Sequence, residues 1–182
     1  MNETMDNQHT LEVDLSWLAA AIEGEGCITI ERSGKERLDG GRCLLPSTMI
    51  SNTNSEFIFA AVRILDRIEV PFRISVRTRD AEKGWKTANV IRIRGQKAVE
   101  KLIPYIEPYL RSKKGQLQLV KRFIESRRKY DKPKGVPYTE YERSLVQDVH
   151  KLNQRGVRDC TLTTGQPVKD TVHSHNESVG LN

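Results

Sequence analysis

The chain has 182 residues, with 30 Lys and Arg against 24 Asp and Glu and a formal charge of +6, which suits one well-buried domain plus tails and not two domains. Its three cysteines, Cys27, Cys43 and Cys160, are odd in number and widely spaced, with no CxxC pair; they suggest neither a disulfide framework nor a zinc site, and point to a reducing intracellular compartment, organelle matrix or prokaryotic cytoplasm. No run of about 18 apolar residues is available to span a membrane, and the polar opening MNETMDNQHT is unlike a signal or transit peptide.

In chain order, Asp14 is placed to cap a helix over about 15–25, its carboxylate accepting the free N–H groups of the first turn. CITIER then alternates, Ile28 and Ile30 on one face and Cys27, Thr29 and Glu31 on the other, the period of a half-buried strand. Residues 43–52, CLLPSTMISN, form a second strand in which Pro46 argues for an edge or a bulge. The capping-box pattern of Thr53 and Glu56 opens a helix with Ile58, Ala61, Leu65 and Ile68 on its apolar stripe, ending before Pro71. Residues 72–79 and 88–94 read as two strands joined by a turn around EKGW, the second ended by Gly95. A short helix over 96–103, a turn through PYIEPYL and a helix over 113–128 follow. That last helix buries Leu117, Val120 and Ile124 and leaves Lys121, Arg122, Arg128 and Lys129 wet. A final helix is opened by a second capping box, Thr139 and Glu142, and closed by Gly156. The expected organisation is a flexible N-terminus over 1–12, one α+β domain over 13–156 with a four-stranded antiparallel sheet, and a disordered polar tail over 157–182.

The positive charge is concentrated. Residues 111–134 carry a local +8 and residues 73–94 a local +5, leaving −7 for the rest of the chain. Such a distribution fits a nucleic-acid surface. Within the second hairpin Arg73, Arg77 and Arg79 share a face with Ser75, opposite Ile74 and Val76, while Arg92 and Arg94 lie opposite Ile91 and Ile93. Arginines along one face of a ribbon can reach both phosphate oxygens and guanine edges in the major groove.

The first helix ends in LAAAIEGEG. Alanines at 19, 20 and 21 and glycines at 24 and 26 leave little side-chain bulk, so a second backbone can approach closely. Glu23 and Glu25 sit where the helix dipole disfavours negative charge. A divalent cation would reverse that sign, because hard oxygen ligands are what Mg²⁺ takes. The two carboxylates lie roughly 200° apart around the helix and cannot serve the same face.

This segment, Leu18 to Gly26, resembles the nine-residue LAGLIDADG motif of homing endonucleases in its variant ending Gly-Glu-Gly. The following CITI, ISNTNSE at 50–56 and IEPYLRSKKGQ at 106–116 resemble segments at matching places in single-motif members, over roughly residues 14–128. Ala20 and Ala21 depart from the more usual glycine and larger apolar residue, and Glu23 from aspartate.

The resemblance implies an αββαββα core with a saddle-shaped four-stranded antiparallel sheet and further C-terminal helices. It implies catalysis by Glu25, Lys113 and Asn52, with Mg²⁺ or another divalent cation on Glu25 and the Gly24 carbonyl. DNA contacts are expected from the sheet residues Cys27, Thr29, Glu31, Ser33, Arg73, Ser75, Arg77, Arg79, Arg92 and Arg94, and from Lys114, which is also the substitute for Lys113 in a register shifted by one. Leu18, Ala19, Ala21 and Ile22 are expected to form a homodimer interface that brings two Glu25 carboxylates together. The implied activity is site-specific double-strand cleavage of a long pseudo-palindromic DNA, leaving 3′ overhangs. The alternative is a non-cleaving relative, an RNA maturase with an RNA partner or a DNA-binding regulator.

Overall fold

A computed structural model describes residues 3–36, 42–78, 86–130 and 136–154. In chain order its elements are α1 (Glu3–Glu25), β1 (Gly26–Glu36), β2 (Arg42–Asn52), α2 (Ser55–Arg67), β3 (Arg73–Arg77), β4 (Ala88–Arg94), α3 (Gln96–Ile106), α4 (Lys114–Arg128) and α5 (Glu140–Leu152). The strands make one antiparallel sheet in the order β1-β2-β4-β3, the α+β arrangement expected from the sequence. The EKGW turn, Arg79, Gly156 and the 157–182 tail lie outside the described residues.

One face of the sheet is covered by helices. Ile28, Ile30, Ile50, Ile91 and Ile93 point into the core from the strands. They meet Leu15, Leu18, Ala19 and Ile22 of α1, spaced 3, 4 and 7 residues apart as one helical stripe requires. The helices α2 and α3 flank α1, while α4 and α5 pack on each other and against β1.

Four local expectations are corrected. The first helix begins at Glu3, and Asp14 is not its cap but an interior residue whose carboxylate pairs with Arg67 of α2 at 3.0 Å. The cap of α2 is Asn54, which accepts from the amide of Glu56 at 2.9 Å, in place of the Thr53–Glu56 box. The third helix continues past residue 103, through Pro104, to Ile106. Pro46 lies on a central strand. Its carbonyl accepts from Gly95 N at 2.8 Å, just beyond the last paired residues Ser47 and Arg94. The missing Pro46 N–H therefore falls where the ladder to β4 is already finished, and the Gly95 carbonyl turns away to accept from Val99 N at 3.1 Å as α3 begins. Gly95 makes this handover at φ +95°, a conformation that suits glycine.

The Thr139–Glu142 capping box of α5 is present as read from the sequence. Glu142 is fully buried and also pairs with the buried Arg127 at 3.3 Å. The Arg127 guanidinium lies 5.1 Å from the ring of Tyr130 and 4.7 Å from that of Tyr138. Tyr138 in turn accepts from Leu44 N at 2.9 Å and donates to Leu44 O at 3.3 Å, tying this cluster to β2. Asn153, the C-cap of α5, donates to Ile28 O at 2.9 Å, and within α5 Nε2 of His150 lies 3.2 Å from Ile30 O. Both carbonyls belong to β1, an edge strand.

Candidate functional site

The sheet face away from the helices is laid out in cross-strand rows. One row runs Cys27, Met49, Arg92, Arg73, the next Thr29, Ser47, Arg94, and a third Glu31, Leu45. On the other side of the first row lie Ser51, Val90 and Ser75. The expected sheet residues within the described parts therefore share this face, with Arg73, Ser75, Arg77 and Arg94 exposed and Cys27, Thr29, Glu31, Ser33 and Arg92 half-buried. Sequence reading missed the contribution of β2, namely Leu45, Ser47, Met49 and Ser51. The signal was weak because Pro46 and Thr48, not typical core residues, occupy the buried side of that strand.

Charge on this face is only partly neutralised among the described residues. Glu31 pairs with Arg94 at 3.1 Å and accepts from the Ser47 hydroxyl at 2.9 Å. Arg73 and Arg92 are direct cross-strand neighbours, an unfavourable placement for like charges. The Nε of Arg92 is buried, with no hydrogen-bond partner among the described residues. An anionic or acceptor-rich ligand would relieve both conditions.

The motif segment delivers Glu25 to the rim of this face, at the last residue of α1, where its side chain is exposed. The next residue, Gly26, must be glycine, since a Cβ there would stand 2.7 Å from the carbonyl oxygens of both Ile22 and Met49. This close approach lets the chain pass from helix directly into strand.

Lys113 lies at the same point. Its ammonium donates to Ile22 O at 2.8 Å and Gly26 O at 2.6 Å, occupying carbonyls at the C-terminal end of α1. Burial pulls its pKa down, opposed by Cys27, Glu23 and Glu25. The Cys27 thiol is pushed up by burial, with Lys113 opposing and Glu31 adding to the rise. Lys114, the first residue of α4, is exposed beside it.

Glu23 does not share a site with Glu25. Its Oε1 accepts from the amides of Arg111, Ser112 (2.5 Å) and Lys113 (3.3 Å), immediately before α4. Desolvation is the largest single influence and raises its pKa, but the hydrogen bonds from Arg111, Lys113 and Ser112 together outweigh it and hold the carboxyl below its usual range. A carboxylate misplaced with respect to its own helix is thus well placed at the start of another. Nothing local announces this, because the partners are 88 to 90 residues away in sequence.

Asn52 ends β2, and its Oδ1 accepts from Asn54 N at 2.8 Å. That oxygen is engaged in the turn into α2.

Of the expected interface residues, Leu18, Ala19 and Ile22 are 0% exposed and Ala21 5%, so their side chains pack inside the chain itself. The outward face of α1 carries Ser16, Ala20 and Gly24 at four-residue spacing, with Val13 54% exposed one turn earlier. Among the described residues no atom outside its own helical turn lies within 4 Å of a Cβ placed on Gly24.

Among the described residues no group of three or more His, Cys, Asp and Glu could hold a metal ion. What the described residues offer is the exposed Glu25 carboxylate and the adjoining backbone carbonyl of Gly24, hard oxygen donors of the kind that suit a cation such as Mg²⁺. No helix among the described residues is long and apolar enough to cross a membrane.

Element order, sheet topology and the placement of the motif helix define the fold of the LAGLIDADG homing endonucleases. Among solved structures the chain is similar to the homing endonuclease I-CvuI in complex with a DNA target, at 17% identity and a TM-score of 0.59, over 82% of this chain and 87% of that one. It is also similar to the archaeal intron-encoded homing endonuclease I-Vdi141I complexed with DNA, at 18% identity and a TM-score of 0.59, over 80% and 87%. The LAGLIDADG homing endonuclease I-LtrWI bound to target DNA matches at 22% identity and a TM-score of 0.52, over 74% of this chain and 42% of that longer one. No protein-family model matches the sequence, and no curated protein sequence matches it.

Proposed function

We propose that the protein is a site-specific DNA endonuclease that acts as a homodimer, on a long pseudo-palindromic duplex, with a divalent cation as cofactor. The observation that carries this reading is the exposed Glu25 carboxylate, adjoining the Gly26 carbonyl that the Lys113 ammonium binds, at the rim of a sheet face where Arg92 Nε has no partner among the described residues. The arginine-bearing face fits the major groove, where a two-stranded ribbon can be accommodated and guanidinium groups meet guanine edges and phosphates. DNA-bound proteins of the same fold support this reading.

Glu25 and the Gly24 carbonyl are the residues that would hold the cation. A divalent ion bound there supplies activated water and charge neutralisation at phosphorus. Lys113 fixes a positive charge close to Glu25, suited to the additional negative charge that develops on an attacked phosphate. Arg73, Arg77, Arg92 and Arg94 bind and orient the duplex. Asn52 stands at the end of the adjoining strand as a candidate for ordering water.

A single chain contributes one such carboxylate, so cutting both strands calls for two copies. Packing of two α1 helices through Ser16, Ala20 and Gly24 would bring the two Glu25 side chains to the two-fold axis. Each would then serve one strand across the minor groove, leaving short 3′ overhangs, the product expected of an intron-homing enzyme.

The deciding experiment is selection of cleaved sites from a random or host-derived DNA library with Mg²⁺, followed by comparison of wild type and Glu25→Gln on the selected site. The variant should bind DNA with the same salt dependence and fail to cut it. Equal cleavage by the two proteins would sink the assignment.

A further inference from the structure

We propose that Glu23 is a positioning residue: its carboxylate clamps the Arg111–Lys113 segment to the end of α1 and so sets the place of the Lys113 ammonium beside Glu25. For its catalytic meaning the inference rests on the nuclease reading of Glu25 and Lys113.

The geometry is reciprocal. From α1, one oxygen of Glu23 gathers three consecutive amides, those of Arg111, Ser112 and Lys113. From the other side, Lys113 reaches back to carbonyls on either side of Glu23 in sequence, Ile22 O at 2.8 Å and Gly26 O at 2.6 Å. Each side chain therefore serves the other's backbone: α1 ends with free carbonyls and receives an ammonium, and the three amides leading into α4 receive a carboxylate. Lys113 is itself the N-cap residue of α4 and makes no side-chain capping bond there. Without Glu23, the amides preceding α4 would lose their acceptor within the protein, and the residue that carries the ammonium would lose its backbone anchor.

The clasp also explains how the ammonium is located. Lysine has a long, flexible stem, and two hydrogen bonds at its tip fix the end of that stem only if its root is fixed too. Glu23 fixes the root. Displacement by about 1 Å at a reacting centre is enough to reduce a rate about 100-fold. Glu23 thereby acts on the chemistry through Lys113 without touching substrate.

The test compares wild type, Glu23→Ala and Glu23→Gln on the selected DNA site, by single-turnover cleavage, equilibrium DNA binding and amide hydrogen exchange at residues 111–113. Glu23→Ala should exchange faster at those amides and cleave about 10- to 100-fold more slowly, while binding DNA as wild type does. Glu23→Gln keeps an acceptor oxygen without the charge, so its rate should fall between the two. Fast exchange with undiminished cleavage would overturn the positioning role, and unchanged exchange would overturn the clamp itself. Should Glu23→Ala fail to fold, Glu23→Gln carries the same outcomes. Wild type that cuts no DNA overturns the nuclease reading and the catalytic role of the clamp together; wild type that cuts no faster than Glu23→Ala overturns the clamp's role alone.

Discussion

The Lys113 ammonium donates to the Gly26 carbonyl at 2.6 Å, so the start of one helix is tied to the point where another becomes a strand. Replacing Lys113 with methionine keeps the stem and removes both donors. A hydrogen bond to a charged group contributes about 1.5–3 kcal/mol, and the half-buried position here favours the lower end. Urea unfolding of Lys113→Met should show a loss of about 1.5 kcal/mol, and cleavage should fall far more than DNA affinity.

The small-residue face of α1 predicts opposite outcomes for neighbouring substitutions. Ala20→Glu places a charge on the outward face and should give a folded monomer by sedimentation, still melting cooperatively. Ala19→Glu, one residue away and 0% exposed, should abolish folding, since an unpaired charge would be buried in the core. Ala20→Glu protein that remains dimeric would place the interface elsewhere.

The buried Arg127–Glu142 pair joins α4 to α5. Arg127→Met strands the fully buried Glu142 carboxylate, and its thermal or urea stability should fall by about 3–5 kcal/mol. Adding Glu142→Gln to Arg127→Met should recover part of that loss. A double variant no more stable than the single would mean that the aromatic contacts of Arg127, not its charge pairing, dominate.

Thr48 faces the core with its hydroxyl buried and without a hydrogen-bond partner among the described residues. Thr48→Val keeps the shape and removes the unsatisfied group, so unfolding should shift toward greater stability by about 1 kcal/mol. The side chain lies on the helix-covered face of β2, and DNA binding should be unchanged.

Much of the fold was legible because period and punctuation agree in the strands. Ile28 and Ile30, Ile91 and Ile93, and the glycine at 95 fall where alternation and a strand end require. The misread features are those decided by tertiary contacts. Asp14 has the chemistry of a cap but is held mid-helix by Arg67, 53 residues away. Thr53 and Asn54 are both capable caps, and only backbone geometry selects Asn54. In the motif helix the sequence separates large apolar residues from small ones without revealing which set the chain's own sheet will bury. The sheet takes Leu18 and Ile22, leaving Ala20 and Gly24 outside. The motif resemblance singles out Glu25 and Lys113, whereas the binding of Lys113 to the end of α1 and the hydrogen bonds of Glu23 are visible only in three dimensions.

The two carbonyls of β1 that α5 and its C-cap occupy have a consequence for how the sheet border is protected. Asn153 and His150 cover Ile28 O and Ile30 O, the two ends of the β-branched run Ile28, Thr29 and Ile30; the opposite border, β3, instead begins and ends with Arg73 and Arg77. One border is sealed by a lid and the other guarded by repulsion. A nick before α5 would unseal the first and leave a bare template along which like strands could stack. Among the described residues α5 is therefore a cover for an open sheet border as much as a piece of the core.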